Sequence, residues 1–202
     1  MYRQIPSTFT INTSNTPQPL FGSWVTAGAG FTQPAGAPLT LTLGTALASG
    51  NDASMFQPGE PAWLIDPNGA HAETVRIQSI SANTVTLGNQ TDSSYQGVNP
   101  VTRFAHAVGA LGTGTFIMPK IECNNFLVDL EDGGAGAFLY IGCQYNMTAT
   151  AYRIYKLAKT TAGNQPFYYS SAMYSPGNPV SIYQLFVMGT NPDAYCLSLE
   201  IA

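Results

Sequence analysis

Two imidazoles, His71 and His106, stand in a chain of 202 residues. His71-Ala72-Glu73 has the spacing of half a zinc deaminase signature, in which the His holds zinc and the Glu moves protons. The other half, Pro-Cys-x-x-Cys on a helix, is missing. The simpler reading makes His71 the cap of a hairpin and turns Glu73 toward a strand neighbour. His106, between Ala105 and Ala107, reads as a hydrogen-bonded structural residue at a strand edge. Asp52, Asp66, Asp92 and the many serines could complete a triad with either His, yet no Gly-x-Ser-x-Gly elbow marks one.

The acidic residues point the same way. Asp129, Glu131 and Asp132 precede Gly133-Gly134, and a hard cation wants several oxygens from one loop. The Asp-x-Asp-x-Asp-Gly spacing is absent and Asp129 falls within a strand pattern, so the cluster reads as an exposed acidic turn. Glu60, Asp66, Glu73, Glu122, Asp129, Glu131 and Asp132 offer no motif that pairs two of them as glycosidase carboxylates. Ala27-Gly28-Ala29-Gly30 lacks the Lys and the following helix of a phosphate loop. No catalytic residue, cofactor or metal is assigned. Tyr168-Tyr169 with Tyr174, and Trp24 or Trp63, could stack on sugar rings; in sandwiches that assemble, core and inter-subunit seam are the commoner use.

The elements that must position these residues are strands. Residues 72–80 put Glu73, Val75, Ile77 and Ser79 on one face and Thr74, Arg76 and Gln78 on the other. Thr84–Leu87 alternates likewise, and Ser81-Ala82-Asn83 between them makes a hairpin. Residues 61–65 form an earlier strand that ends at Asp66-Pro67-Asn68-Gly69, a turn sequence. Leu39-Thr40-Leu41-Thr42-Leu43 is another clean strand, and residues 53–56 suit a helical turn.

Residues 88–100 have no pattern and read as an exposed loop. The Gly-rich stretch 109–114 reads as a joint. Beyond it lie about seven strands at spacings of about ten residues, the mark of a sandwich or jelly roll. Pro119 marks the first of them as an edge or bulged strand, and the apolar run from Phe138 to Cys143 as a central one. The fold class expected is all-β: a small β-barrel-like module over residues 21–112, then a β-sandwich or jelly-roll-like domain over residues 113–202.

Pro58-Gly59-Glu60, Ile65-Asp66, Glu73-Thr74-Val75-Arg76-Ile77, Asn83-Thr84-Val85-Thr86-Leu87 and His106-Ala107-Val108-Gly109-Ala110 follow one another in this order. The stretch resembles the small β-modules of tailed-bacteriophage virion proteins, among them capsid decoration (cement), tail and adaptor proteins. It departs from them at residues 88–104, where the spacer before the His is usually shorter. Leu139-Tyr140-Ile141-Gly142, and the run from Tyr183 to Thr190 with Asp193, look like the closing sandwich of some small phage virion proteins.

Composition fits a protein covered by neighbours. Charged residues are 9% of the chain, where about 25% is usual. Interface cores are depleted of Lys and Glu and enriched in aromatics, and the 11 Tyr and 10 Phe favour that reading over a merely polar skin. Seven Lys and Arg, unclustered, argue against a nucleic-acid partner. No apolar run of about 18 residues exists to span a membrane, and the N-terminus lacks an apolar signal core, so synthesis in the host cytoplasm is expected. Cys123, Cys143 and Cys196 are widely spaced and read as buried free thiols.

Residues 1–20 are rich in Thr, Asn, Ser and Pro. They read as a frayed tail or as an extended N-terminal arm that pairs with a neighbour's sheet edge through Thr8, Phe9 and Ile11. With Tyr95, Tyr168, Tyr169 and Tyr174, these form the expected interface set. The resemblance implies a non-enzymatic virion structural protein, foremost a decoration protein on the capsid surface that binds the major capsid protein and self-associates, for example as a trimer. The alternatives are a neck, tail or baseplate component, a glycan-binding adhesion module and, last, a glycan hydrolase.

Overall fold

The computed structural model describes residues 3–11, 15–27, 39–44, 52–88, 102, 104–130, 137–151, 153–160, 163–164, 166–170, 180–191 and 194–201. These residues are all-β, and their helical pieces are two 3-10 turns, Asp52–Met55 and Ile182–Gln184. The chain divides into two compact units. Met1–Leu20 and Ala46–Ala48 join Ile121–Ala202 in one, while Phe21–Thr45 and Ser49–Lys120 form the other. The first unit is thus discontinuous in sequence, and the second is inserted into it.

The first unit opens with β1 (Arg3–Thr10) and β2 (Gln18–Pro19). The inserted unit contributes β3 (Ser23–Ala27), β4 (Leu39–Leu43), β5 (Pro61–Ile65), β6 (Ala72–Ser81), β7 (Thr84–Leu87) and β8 (Phe116–Pro119). The first unit resumes with β9 (Glu122–Leu130), β10 (Phe138–Gly142), β11 (Arg153–Thr160), β12 (Gly163–Asn164), β13 (Phe167–Ser170), β14 (Val180–Ser181), β15 (Phe186–Gly189) and β16 (Ala194–Ile201).

Strands β3 to β8 close into a barrel in the order β3-β4-β7-β6-β5-β8. Alternation dictates its filling, because a period of two sends every second side chain inward. Leu41 and Leu43 of β4, Ala62 and Leu64 of β5, Val75 and Ile77 of β6, and Val85 and Leu87 of β7 are all buried. Each large aliphatic side chain so placed contributes roughly 1.5–3 kcal/mol over an exposed one. Thr40 and Thr86, register partners on the outer face, share a hydroxyl hydrogen bond of 3.0 Å. The β6–β7 hairpin turns at Ala82-Asn83, with Ala82 in the left-handed region at φ 49°.

Two expectations are corrected here. Residues 113–120 belong to the barrel: β8 pairs with β3 on one side and β5 on the other, so it closes the barrel rather than edging a sandwich. Pro119 is the strand's last residue, in register with Ala62 of β5. The Gly-rich stretch is a turn within this unit. Gly114 donates its N–H to the Ala110 carbonyl, and a Cβ at Gly114 would collide with the Val25 carbonyl.

The other unit is a sandwich of two five-stranded sheets. One runs β1-β16-β9-β13 with β14 also on β9; the other runs β12-β11-β10-β15-β2. Strand β10, expected to be central, pairs with β11 and β15. Phe126, Val128 and Leu130 of β9 and Tyr195, Leu197 and Leu199 of β16 are buried, as are Leu139 and Ile141 of β10.

The segment expected as an arm is β1. It pairs antiparallel with β16 of the same chain, from Arg3↔Ile201 to Thr10↔Ala194. Its few apolar residues suffice because Phe9 and Ile11 are both 0% exposed and the ladder satisfies the backbone. Of the cysteines, Cys123 is buried and its thiol is pushed up to about 12 by desolvation. Cys143 is exposed, against expectation, because it lies one residue beyond the end of β10.

Candidate functional site: a carboxylate–imidazole network in the barrel

Local turn chemistry gathers the barrel's ionisable residues at one end of β5 and β6. Strand β5 ends at Ile65, and Asp66 opens the connection. The Asp66 N–H donates to the His71 carbonyl at 3.0 Å, and the Gly69 N–H donates to the Asp66 carbonyl at 2.7 Å. Gly69 takes φ 68°, where a Cβ would be strained. The closed turn sets His71 Nδ1 2.8 Å from Asp66 Oδ2. Two residues later, Glu73 lies opposite Leu64 on the inward face shared with Val75 and Ile77. Its burial results directly from the period of two.

His106 arrives from the far side of the β7–β8 connection and bridges both carboxylates. Its Nδ1 is 2.8 Å from Asp66 Oδ1, and its Nε2 is 2.7 Å from Glu73 Oε1. The Thr115 hydroxyl donates to Asp66 Oδ1 at 2.9 Å, and the Phe104 N–H donates to Glu73 Oε1 at 3.3 Å. The Phe104 ring stacks on His71, with centroids 4.6 Å apart. The His106 and Thr115 side chains are sealed from solvent, Asp66 and Glu73 nearly so, and the His71 side chain keeps 41% of its surface.

Burial alone would push His106 toward the neutral form. The hydrogen bonds and charges of Glu73 and Asp66 outweigh it and hold the imidazole above its ordinary value. Burial likewise acts to raise Asp66. The hydrogen bonds from His106, Thr115 and His71, with the charge on His106, outweigh it and hold the carboxyl below the usual range.

This arrangement suits structure better than turnover. His106 is enclosed and uses both ring nitrogens on carboxylates, so it has no nitrogen left for a substrate. His71 uses Nδ1 on Asp66. The partners described for both rings are carboxylates, not the hydroxyl or thiol of a nucleophile–base pair. His71 and Glu73 of the deaminase-like half-motif go to different partners. Among the described residues, no group of three or more His, Cys, Asp or Glu is arranged to hold a metal ion.

The expected interface residues scatter. Thr8 is a β1 residue in register with Cys196, and Phe9 and Ile11 are sealed in the core of their own sandwich, which removes the latter two from any neighbour's reach. Tyr169 is half-buried and stacks on Phe126 at 5.2 Å. Tyr168 is 48% exposed, and its hydroxyl donates to Asn125 at 3.3 Å. Tyr95, Tyr174 and the acidic turn at 131–134 lie outside the described residues. Sequence reasoning missed Tyr155, which is 36% exposed and packs on Phe167. It also missed Thr115 and Phe104, whose roles depend on contacts across the barrel unit; the one signal was their nearness in sequence to His106.

No family model matches the chain, and no curated protein matches it. Among solved structures, it is similar to VP17, a capsid protein of bacteriophage P23-77, at 15% identity and a TM-score of 0.22, over 100% of this chain and 77% of that one; so slight a likeness carries no weight for fold or role.

Proposed function

We propose that this chain is a non-enzymatic structural protein of a tailed-phage virion, and within the virion a decoration protein that binds the major capsid protein lattice at the capsid surface. The observation that carries the reading is the fate of the residues behind the sequence resemblance. Glu73 and His106, 33 residues apart, meet at 2.7 Å inside one closed barrel. That pairing supports reading the motif as part of a folding module, in which the polar residues bond to one another, rather than as a catalytic centre.

The low charge content supports the same reading, since a surface poor in Lys and Glu is easily desolvated against a neighbour. With β1 committed to its own sandwich, the contacts to capsid neighbours fall to exposed aromatics such as Tyr155 and Tyr168 rather than to an arm. Many copies would act by avidity, each contact being modest, and self-association as a trimer would strengthen it.

Quantitative mass spectrometry of purified particles, scaled to the major capsid protein, tests this. A simple ratio to that protein is expected. A few copies per particle would move the chain to the neck, tail or baseplate, and absence from particles would end the virion reading. The exposed Tyr155 and Tyr168 favour one second reading, a glycan-binding module, which binding to an oligosaccharide array would reveal.

A further inference from the structure

We propose that His106 is a proton-operated latch: as a doubly protonated imidazolium it fastens residues 104–107 to the barrel through Asp66 and Glu73, and it lets go when it loses one proton.

An ionised carboxylate can only accept hydrogen bonds. Both His106 nitrogens face carboxylate oxygens at 2.7–2.8 Å, so with Asp66 and Glu73 ionised both carry hydrogen. Asp66 is the target of three donors, namely His106, Thr115 and His71, which keeps it ionised. Glu73 Oε1 receives the Phe104 N–H as well as His106 Nε2. A neutral imidazole has one N–H. It would leave one of these buried oxygens facing a lone pair, and the bridge would break on that side.

The latch holds a defined piece of chain. Phe104 is attached by its N–H to Glu73 and by its ring to His71. The Ala107 carbonyl accepts the Thr115 N–H at 2.9 Å. His106, between them, reaches both carboxylates. A cleft of about 300 Å³ lined by Asp66, Pro67, Asn68, Ala107, Gly112 and Thr113 brings solvent to the edge of the network, which gives protons a route.

The titratable groups that face His106 are Asp66 from the β5–β6 turn, Glu73 from β6, and His71, whose ring meets it edge-on at 6.5 Å. Arg103 lies outside the described residues. The His106 contribution is complete below 6.5 and is lost as pH rises through its raised value. The Asp66 contribution is complete above 3.8 and is lost as pH falls through its lowered value. The latch is therefore shut in weak acid and opens on the alkaline side.

Nitrogen-15 NMR of the imidazole rings across this range tests the latch on the unaltered protein, with His71→Asn used to assign the two rings. Well below pH 6.5, His106 should show two protonated nitrogens, and its titration midpoint should lie above 6.5. Hydrogen exchange at the Phe104 and Thr115 amides should lose protection through that same midpoint. Glu73→Gln keeps an acceptor and removes a charge, so it should lower the midpoint. A single protonated nitrogen well below pH 6.5, a midpoint at or below the ordinary value, or amides indifferent to the titration would each overturn the proposal.

Discussion

Phe9 and Tyr195 are register partners on the first and last strands of the chain, and their rings stack with centroids 5.4 Å apart and planes 19° from parallel. Both are 0% exposed. The Tyr195 hydroxyl donates to the Leu20 carbonyl at 2.9 Å, and Gln18 Nε2 donates to the Thr10 carbonyl at 3.0 Å. The strands nearest the two ends of the sequence thus pair within one sheet, and residues 18–20 are tied to them.

Phe9→Ala removes a whole ring from this closed core. It should cost about 3–5 kcal/mol in the denaturant unfolding of the purified chain, and Phe9→Leu should cost less because it leaves a smaller void. An arm that belonged to a neighbour would predict the opposite: unfolding of the isolated chain would not respond to either change.

The barrel network supplies a second prediction. Glu73→Ala should destabilise by about 3–5 kcal/mol, because it strips one partner from a buried charge and leaves the other in place. Combined with His106→Ala, the losses should fall well short of additive, and a double-mutant cycle on urea midpoints measures the coupling. Additive losses would mean that the 2.7 Å contact between the two residues contributes nothing.

Stability of the unaltered protein should also depend on pH with a definite sign. His106 is held above 6.5, so its share is complete below that value and drains away as pH rises through the raised one. Asp66 is held below 3.8, so its share is complete above that value and drains away in stronger acid. Between these limits the network's contribution should be flat. Urea midpoints collected against pH check this, and a decline between 6.5 and 3.8 that Glu73→Gln abolishes would contradict it.

How much of this was legible beforehand follows from what each residue depends on. The strands from Leu39 to Leu87 could be read because their alternation is local and each buried face is written in Leu, Val and Ile. Strand β1 could not, because the order of Arg3–Thr10 comes from β16, which lies at the other end of the chain. The unit to which β8 belongs is not legible for a related reason: its run of four buried residues fits a barrel or a sandwich equally, and only its pairing with β3 and β5 decides. Glu73 could be placed on the inward face, but not its pairing with His106, since nothing local says which of several carboxylates an imidazole will meet.

Gly44 shows how closely one barrel seam is packed. Its N–H donates to the Trp24 carbonyl at 2.8 Å, and its own carbonyl accepts the Ser23 hydroxyl at 2.5 Å. A Cβ there would overlap Cε2, Nε1 and Cζ2 of the Trp24 indole. Gly44→Ala should therefore cost about 1–3 kcal/mol. A phenyl ring is smaller than the indole and has no atom at Cζ2, so adding Trp24→Phe should recover part of that loss. Thermal unfolding of the single and double variants reads the sign of the coupling, and a double variant weaker than the sum of the singles would refute the steric account.

The exposed aromatics of the sandwich should behave in the reverse way. Tyr155 and Tyr168 keep 36% and 48% of their surface, and Tyr168 has one long hydrogen bond, to Asn125. Replacing Tyr168 with Ala should shift the stability of the isolated chain by no more than about 0.5 kcal/mol, as for most surface changes. On the proposed role, the same change removes a large, rigid contact from the face presented to capsid neighbours, so the share of chain retained on particles after a salt wash should fall. Unchanged stability with unchanged retention would clear Tyr168 from the interface and leave the contact to other surfaces. Lost stability would mean that the ring supports its own sandwich, and retention could then no longer be read as a measure of binding.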